Sequence, residues 1–154
     1  MEHKPLDQLK DQASIVELEA RVAPSPRELR RARLNRLAEV LAKYGGPVTL
    51  LTRIEYLPEH DRLPLRIDNS PLEIAYRDPV LRGQGLAGDR LGDGITFFDL
   101  SQAEAHYLLC DCHYSGMITG EMIASRARAV ANHVSFGEMV GKLGGRLRQW
   151  FGRG

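Results

Sequence analysis

Residues 100–134 read LSQAEAHYLLCDCHYSGMITGEMIASRARAVANHV, and the conformation of this stretch decides the fold. Ser101 stands three places ahead of Glu104 at the head of an apolar-periodic run. That is capping-box spacing, in which hydroxyl and carboxylate each satisfy a backbone N–H at a helix start. Ala105, Leu108, Leu109 and Cys112 then share one stripe. They predict a helix that continues to Tyr114-Ser115-Gly116, where Gly116 supplies a left-handed cap. Thr119 is placed to cap a second helix, with Glu121 at the positive end of its dipole. Ile123, Ala127, Val130 and Val134 form the buried stripe of that helix, widened by Ala124 and Ala131. A link this short predicts an antiparallel helical hairpin.

The first helix of the hairpin also carries His106, Cys110, Cys112 and His113. On a helical wheel His106, Cys110 and His113 cluster, whereas Cys112 points with Leu108 and Leu109 and reads as core. His106, Cys110 and His113 are therefore the candidate zinc ligands. Helical rise weighs against them, because His106 and His113 would lie roughly 10 Å apart along the axis. A chelating pair completed by His60, His133 or an acidic side chain is easier to build, and ordinary packing is the favoured expectation. Two cysteines one residue apart on a helix are also poorly placed for a mutual disulfide.

Moving outward toward the N-terminus, Leu91, Ile95 and Phe98 mark a short helix over about 89–98, and Asp78-Pro79 begins a brief helical turn. Between them, Gly83-Gln84-Gly85-Leu86-Ala87-Gly88 fits G-x-G-x-x-G literally. The dinucleotide reading needs a buried strand before that motif and a full helix after it, and neither is predicted. Arg82-Gly83-Gln84-Gly85-Leu86-Ala87 resembles the pyrophosphate loop of the acyl-CoA-dependent N-acetyltransferase superfamily, an R-x-x-G-x-A pattern. The resemblance implies an acyl-CoA cofactor whose phosphates meet backbone N–H groups at a helix start. Arg82, Gly83, Gly85 and Ala87 would be its contacts.

Residues 48–76 change to period two. Val48, Leu50, Ile54 and Tyr56 alternate with polar residues, as do Leu63, Leu65 and Ile67, and then Leu72, Ile74 and Tyr76. Short polar links between these runs predict a three-stranded antiparallel meander with Pro64 on an edge. Upstream, Ser25-Pro26 opens a helix to about Tyr44 that turns Leu34, Leu37, Ala38 and Leu41 inward, and Gly45-Gly46 closes it. Residues 5–22 form an amphipathic helix through Leu6, Leu9, Ala13, Val16 and Ala20, set off by Ala23-Pro24-Ser25-Pro26. The expected fold class is α+β: mainly helical, with a small three-stranded antiparallel sheet, a C-terminal helical hairpin and an amphipathic tail. The expected division is an arm over 1–24, one domain over 25–134 and a tail over 135–154.

The tail carries Phe136, Met139, Val140, Leu143, Leu147, Trp150 and Phe151 at helical spacing, interleaved with Lys142, Arg146 and Arg153. A basic amphipathic segment of this kind docks into a partner's groove, self-associates, lies on an anionic membrane surface or folds back on its own domain. Over the whole chain the formal net charge is only +1, which provides no global field for nucleic acid, although residues 25–44 and 135–154 are basic and the middle is acidic. The arginine-rich helix at 26–44 lacks aromatic partners for base stacking. The second hairpin helix opens on Glu121, which repels phosphates. Nucleic-acid binding is accordingly the weakest of the readings. No apolar run reaches the ~18 residues of a membrane span. The N-terminus lacks a secretory apolar core, and the two cysteines suit a reducing cytoplasm.

The expected function is a small cytoplasmic accessory or regulatory protein that acts through protein contacts of its tail, without catalysis and without a cofactor. The alternatives are an acyl-CoA-dependent N-acetyltransferase-like enzyme using the loop at 82–88, and a metal-binding (zinc) or nucleic-acid-binding regulator.

Overall fold

Ser25 and Glu28 show how the first helix begins. The Ser25 hydroxyl accepts the Glu28 N–H at 3.2 Å, and the Glu28 carboxylate accepts the Ser25 N–H at 2.8 Å. Pro26, which has no N–H to leave unsatisfied, takes the first helical position. The computed structural model describes residues 23–133, and this capped segment is its longest helix, α1 (Pro26–Lys43). Six more follow: α2 (Glu59–Arg62), α3 (Pro71–Arg77), α4 (Pro79–Gly83), α5 (Leu91–Phe98), α6 (Gln102–Leu109) and α7 (Gly120–Asn132). Two 3₁₀ turns, Ile54–Tyr56 and Asp111–His113, complete the order.

No β-strand or sheet occurs among the described residues, so the expected three-stranded sheet is absent and the α+β class is replaced by a mainly helical one. The first supposed strand is an extended run that bends into the 3₁₀ turn at Ile54–Tyr56. Its backbone pairs singly with Asn69 (Thr49 N–H to the Asn69 carbonyl, 2.9 Å) and through an isolated parallel bridge between Leu51 and Cys110. The second run, with Pro64 removing a donor, follows α2 as non-regular chain. The third is helix α3. Ser70 accepts the Glu73 N–H at 3.1 Å and Pro71 sits at the start, which is the cap chemistry that also opens α1. Pro71, Leu72, Ile74 and Ala75 are buried at i, i+1, i+3 and i+4, so the apparent alternation of Leu72, Ile74 and Tyr76 lies within a short helix.

The dominant packing is α1 against α7. Gly120 begins α7 beside the end of α1, where a Cβ would collide with the Leu41 carbonyl oxygen. At the opposite end the Arg30 guanidinium donates to the Val130 carbonyl at 3.4 Å. These two contacts make the helices antiparallel. They bury Leu34, Leu37, Ala38 and Leu41 against Ile123, Ala124, Ala127, Val130 and Ala131. The principal neighbour of α7 is thus α1, whereas the hairpin expectation paired it chiefly with the helix just before it.

Three arginines of α1, Arg30, Arg33 and Arg36, reach other elements. Arg30 pairs with Glu104 at 2.9 Å and also donates to the Asp99 carbonyl. Arg33 donates to the Phe97 carbonyl and stacks on the Phe97 ring at 4.1 Å. Arg36 grips both carboxylate oxygens of Asp78, at 2.8 and 3.1 Å. Residues 1–22 of the expected N-terminal arm (1–24) and all of the expected C-terminal tail (135–154) lie outside the described residues.

Candidate metal centre

Helix α6 starts as its sequence predicts, with Ser101 and Glu104 closing a capping box at 3.1 and 2.9 Å. It does not continue to Cys112. Leu51 donates its N–H to the Leu109 carbonyl at 2.9 Å, and the Leu51 carbonyl accepts the Asp111 N–H at 2.9 Å. These two bonds pull Cys110 into extended geometry, φ −102° and ψ 137°, and end the helix at Leu109. The chain then doubles back through the 3₁₀ turn Asp111–His113 and reaches Gly116, whose φ of 75° permits the change of direction.

Several contacts fix that turn. The Tyr114 hydroxyl donates to the Leu108 carbonyl at 2.9 Å, and burial pushes the Tyr114 phenol up to about 12. Arg126 of α7 donates to the Tyr107 carbonyl at 3.1 Å and to the His113 carbonyl. Its guanidinium lies 3.7 Å from the Tyr114 ring centroid and 4.6 Å from that of Tyr107. A cation held between two aromatic faces and two carbonyls ties the turn to the α1–α7 core.

The fold-back overturns three expectations. His106 and His113, predicted to be separated along a straight helix, meet at 2.7 Å between His106 Nδ1 and His113 Nε2, with their rings edge to face. The buried cysteine is Cys110, at 0% exposure, and Cys112 is the exposed one, the reverse of the helical-wheel assignment. Their sulfurs lie 3.4 Å apart, whereas a shared helix would have splayed them.

Five donor side chains from two separate parts of the chain converge here. Cys112 Sγ lies 3.8 Å from His106 Nε2, which lies 3.3 Å from Glu55 Oε2. Glu55 comes from the 3₁₀ turn Ile54–Tyr56, which follows Arg53 in the left-handed region at φ 52°. Two triads each gather their donor atoms within 4.8 Å: His106, Cys112 and His113, and Glu55, His106 and Cys110. Tetrahedral zinc, with Zn–N near 2.0–2.1 Å and Zn–S near 2.3 Å, sets neighbouring ligand atoms roughly 3.3–3.8 Å apart. The Glu55–His106, Cys110–Cys112 and Cys112–His106 separations fall in that range.

The 2.7 Å contact between the histidines is too short for two ligands of one ion and is a hydrogen bond. If His106 Nε2 were to hold a metal, the proton would stand on Nδ1 and His113 Nε2 would accept it, so that His113 would orient the ligating ring as the outer partner of a metal-bound histidine commonly does.

Electrostatics point the same way. Glu55 is held below the usual carboxylate range, first by a hydrogen bond from its own backbone N–H and further by His106. The Cys112 thiol is pushed up to about 11, first by its contact with Cys110, then by desolvation and by the charges of Cys110, Glu55 and Asp111. Anionic donors crowded together resist ionising, and a divalent cation at their centre reverses the sign of that interaction. Two thiolates, an imidazole and a carboxylate suit zinc and exclude calcium and magnesium, which take oxygen ligands.

The other sequence-derived sites lie elsewhere. Gly83 ends α4 and Gly85 follows at φ 109°. The loop's N–H groups at Gln84, Gly85 and Leu86 are spent on the carbonyls of Val80, Arg82 and Leu81. Arg82, Gly83, Gly85 and Ala87 thus close a helix, whereas a phosphate cradle would open one. The proposed tail contacts Phe136, Met139, Val140, Leu143, Leu147, Trp150 and Phe151 lie outside the described residues. Among the described residues, no helix is long and apolar enough to cross a membrane. Comparison with family models, curated proteins and solved structures finds no match to this chain.

Proposed function

We propose that this protein binds one zinc ion through Glu55, His106, Cys110 and Cys112, with His113 positioning His106. The observation that carries the reading is the convergence of these donors at 3.3, 3.4 and 3.8 Å from two segments far apart in sequence. Drawn together on one ion, these four protein ligands would complete a tetrahedron and leave no open position, which suits a structural or regulatory ion better than a catalytic one. The ion ties the 3₁₀ turn at Ile54–Tyr56 to the end of α6, closing a long loop of chain. The role is that of a small cytoplasmic regulatory protein, in a compartment whose reducing poise keeps both thiols available.

Purified full-length protein is expected to hold about one equivalent of zinc, and Cys110→Ala is expected to hold none while keeping its helical circular dichroism. Folded wild-type protein that stays metal-free after equilibration with zinc overturns the proposal.

A second reading, an accessory protein that works through contacts, is favoured by the apolar rhythm of residues 136–151 with Lys142 and Arg146 interleaved. Its partner is a protein groove or a second copy of the chain. Deleting residues 135–154 is expected to abolish such complexes; complexes unchanged on gel filtration reject it.

A further inference from the structure

The two sulfurs of the metal centre are unequal. Cys112 is exposed, whereas Cys110 is completely buried directly behind it, 3.4 Å away. A disulfide needs about 2.05 Å, so the pair must close by roughly 1.4 Å. The backbone allows that approach because neither residue is in an α-helix. Cys110 is anchored by its bridge to Leu51, and Cys112 lies in the middle of a short 3₁₀ turn. The chain has only these two cysteines. An oxidant arriving from solvent therefore meets Cys112, and the one thiol able to resolve an oxidised Cys112 within the molecule is Cys110.

We propose that Cys110 and Cys112 form a hydroperoxide-responsive pair whose oxidation to an intramolecular disulfide expels the zinc ion. The expulsion step rests on the metal reading above; the pairing of the thiols does not. The Cys112 sulfur attacks the terminal oxygen of the hydroperoxide, the O–O bond breaks, and the departing alkoxide takes a proton to leave as an alcohol, or as water from hydrogen peroxide. Cys112 is then a sulfenic acid. The Cys110 sulfur attacks the Cys112 sulfur, the S–O bond breaks, and hydroxide leaves as water after taking a proton from solvent, because both zinc-bound sulfurs start as thiolates. Two thiolates, one hydroperoxide and two solvent protons thus give one disulfide, one alcohol and one water. The sulfur pair loses two electrons and the peroxide gains them. Zinc loses two of its four donors, and Glu55 with His106 is too small a set to retain it. Because the resolving thiol is already in contact, disulfide formation outruns a second oxidation of Cys112 to the sulfinic acid.

The test uses zinc-loaded full-length protein, hydrogen peroxide and a chromophoric zinc chelator, with intact mass measured at each time point. The expected result is a mass lower by two hydrogens, release of the bound equivalent of zinc at the same rate, and reversal of both by dithiothreitol. With Cys110→Ser, dimedone is expected to trap a sulfenic acid on Cys112 and no disulfide to form. Retained zinc, or oxygen additions in wild-type protein without the loss of two hydrogens, overturns the switch and leaves the metal reading standing. Protein that takes up no zinc at the outset overturns the metal reading and, with it, the expulsion step. Peroxide on that metal-free protein then tests the pair alone, where loss of two hydrogens upholds the pairing and oxygen addition refutes it.

Discussion

His113 is the residue at which the proposed coordination is most exposed to refutation, because it shares a triad with His106 and Cys112 and is excluded as a ligand only by its short contact with His106. It is held 2.7 Å from His106 Nδ1, its ring also meets Tyr107 at 5.7 Å, and its carbonyl is fixed by Arg126. If it orients His106, then His113→Ala leaves the four ligands in place. It removes the acceptor that fixes the His106 ring, which is itself partly solvated at 28% exposure. Loss of an outer partner of this kind weakens metal binding by about 10–100-fold, or ~1.4–2.7 kcal/mol, without changing the stoichiometry. His113→Gln, whose amide oxygen can accept the same proton, is expected to recover part of the loss. Zinc titration against a chromophoric chelator at neutral pH measures both quantities. If His113→Ala binds no zinc at any concentration while Glu55→Ala binds normally, His113 is the ligand and the assignment made here is wrong. Unchanged affinity removes His113 from the site altogether.

Two further predictions concern the scaffold that presents the site. Asp78 is buried, caps α4 by accepting the Leu81 N–H at 3.1 Å, and receives both donors of Arg36. Asp78→Ala therefore costs about 2 kcal/mol, from the cap and the charge-assisted bonds together, and lowers Tm by several degrees in thermal denaturation. The hydrogen bonds from Arg36 hold the Asp78 carboxyl below its ordinary value. Its contribution is complete above the ordinary aspartate pKa and disappears as pH falls through the folded value. Wild-type Tm should thus drop more steeply below about pH 4 than that of Asp78→Asn, and parallel acid limbs would show the pair to be inert. Gly120→Ala places a methyl group on the Leu41 carbonyl and is expected to cost about 1–3 kcal/mol by forcing α7 away from α1; an unchanged urea midpoint would refute the close approach.

The elements legible in the sequence were those with their own termination chemistry. Ser25-Pro26, Ser101 with Glu104, Asp78-Pro79 and Thr119 each mark a helix start through a local hydrogen bond, and each start is found where its residues stand. The strand expectation failed where short apolar alternation was weighed above a cap. Leu72, Ile74 and Tyr76 fit period two, but Ser70-Pro71 and Glu73 supply the same signal that begins α1. Over so few residues periodicity cannot separate the two conformations, and capping geometry is the better guide.

The proposed metal site was half legible for a different reason. His106, Cys110 and His113 were visible as donors, but their geometry depended on where α6 ends, and a residue remote in sequence decides that. Leu51 competes for the backbone groups of Leu109 and Asp111 and wins, and no local pattern in residues 100–113 reports it. Glu55 was out of reach for the same reason, since the extended run that carries Leu51 also delivers Glu55 to His106. One pair of backbone hydrogen bonds thus has three effects. It buries Cys110, turns Cys112 to solvent, and folds His113 back onto His106. The donor set of the metal site and the asymmetry of its two thiols share that single cause, so a change that frees Leu51 from Cys110 should disturb zinc affinity and peroxide sensitivity together.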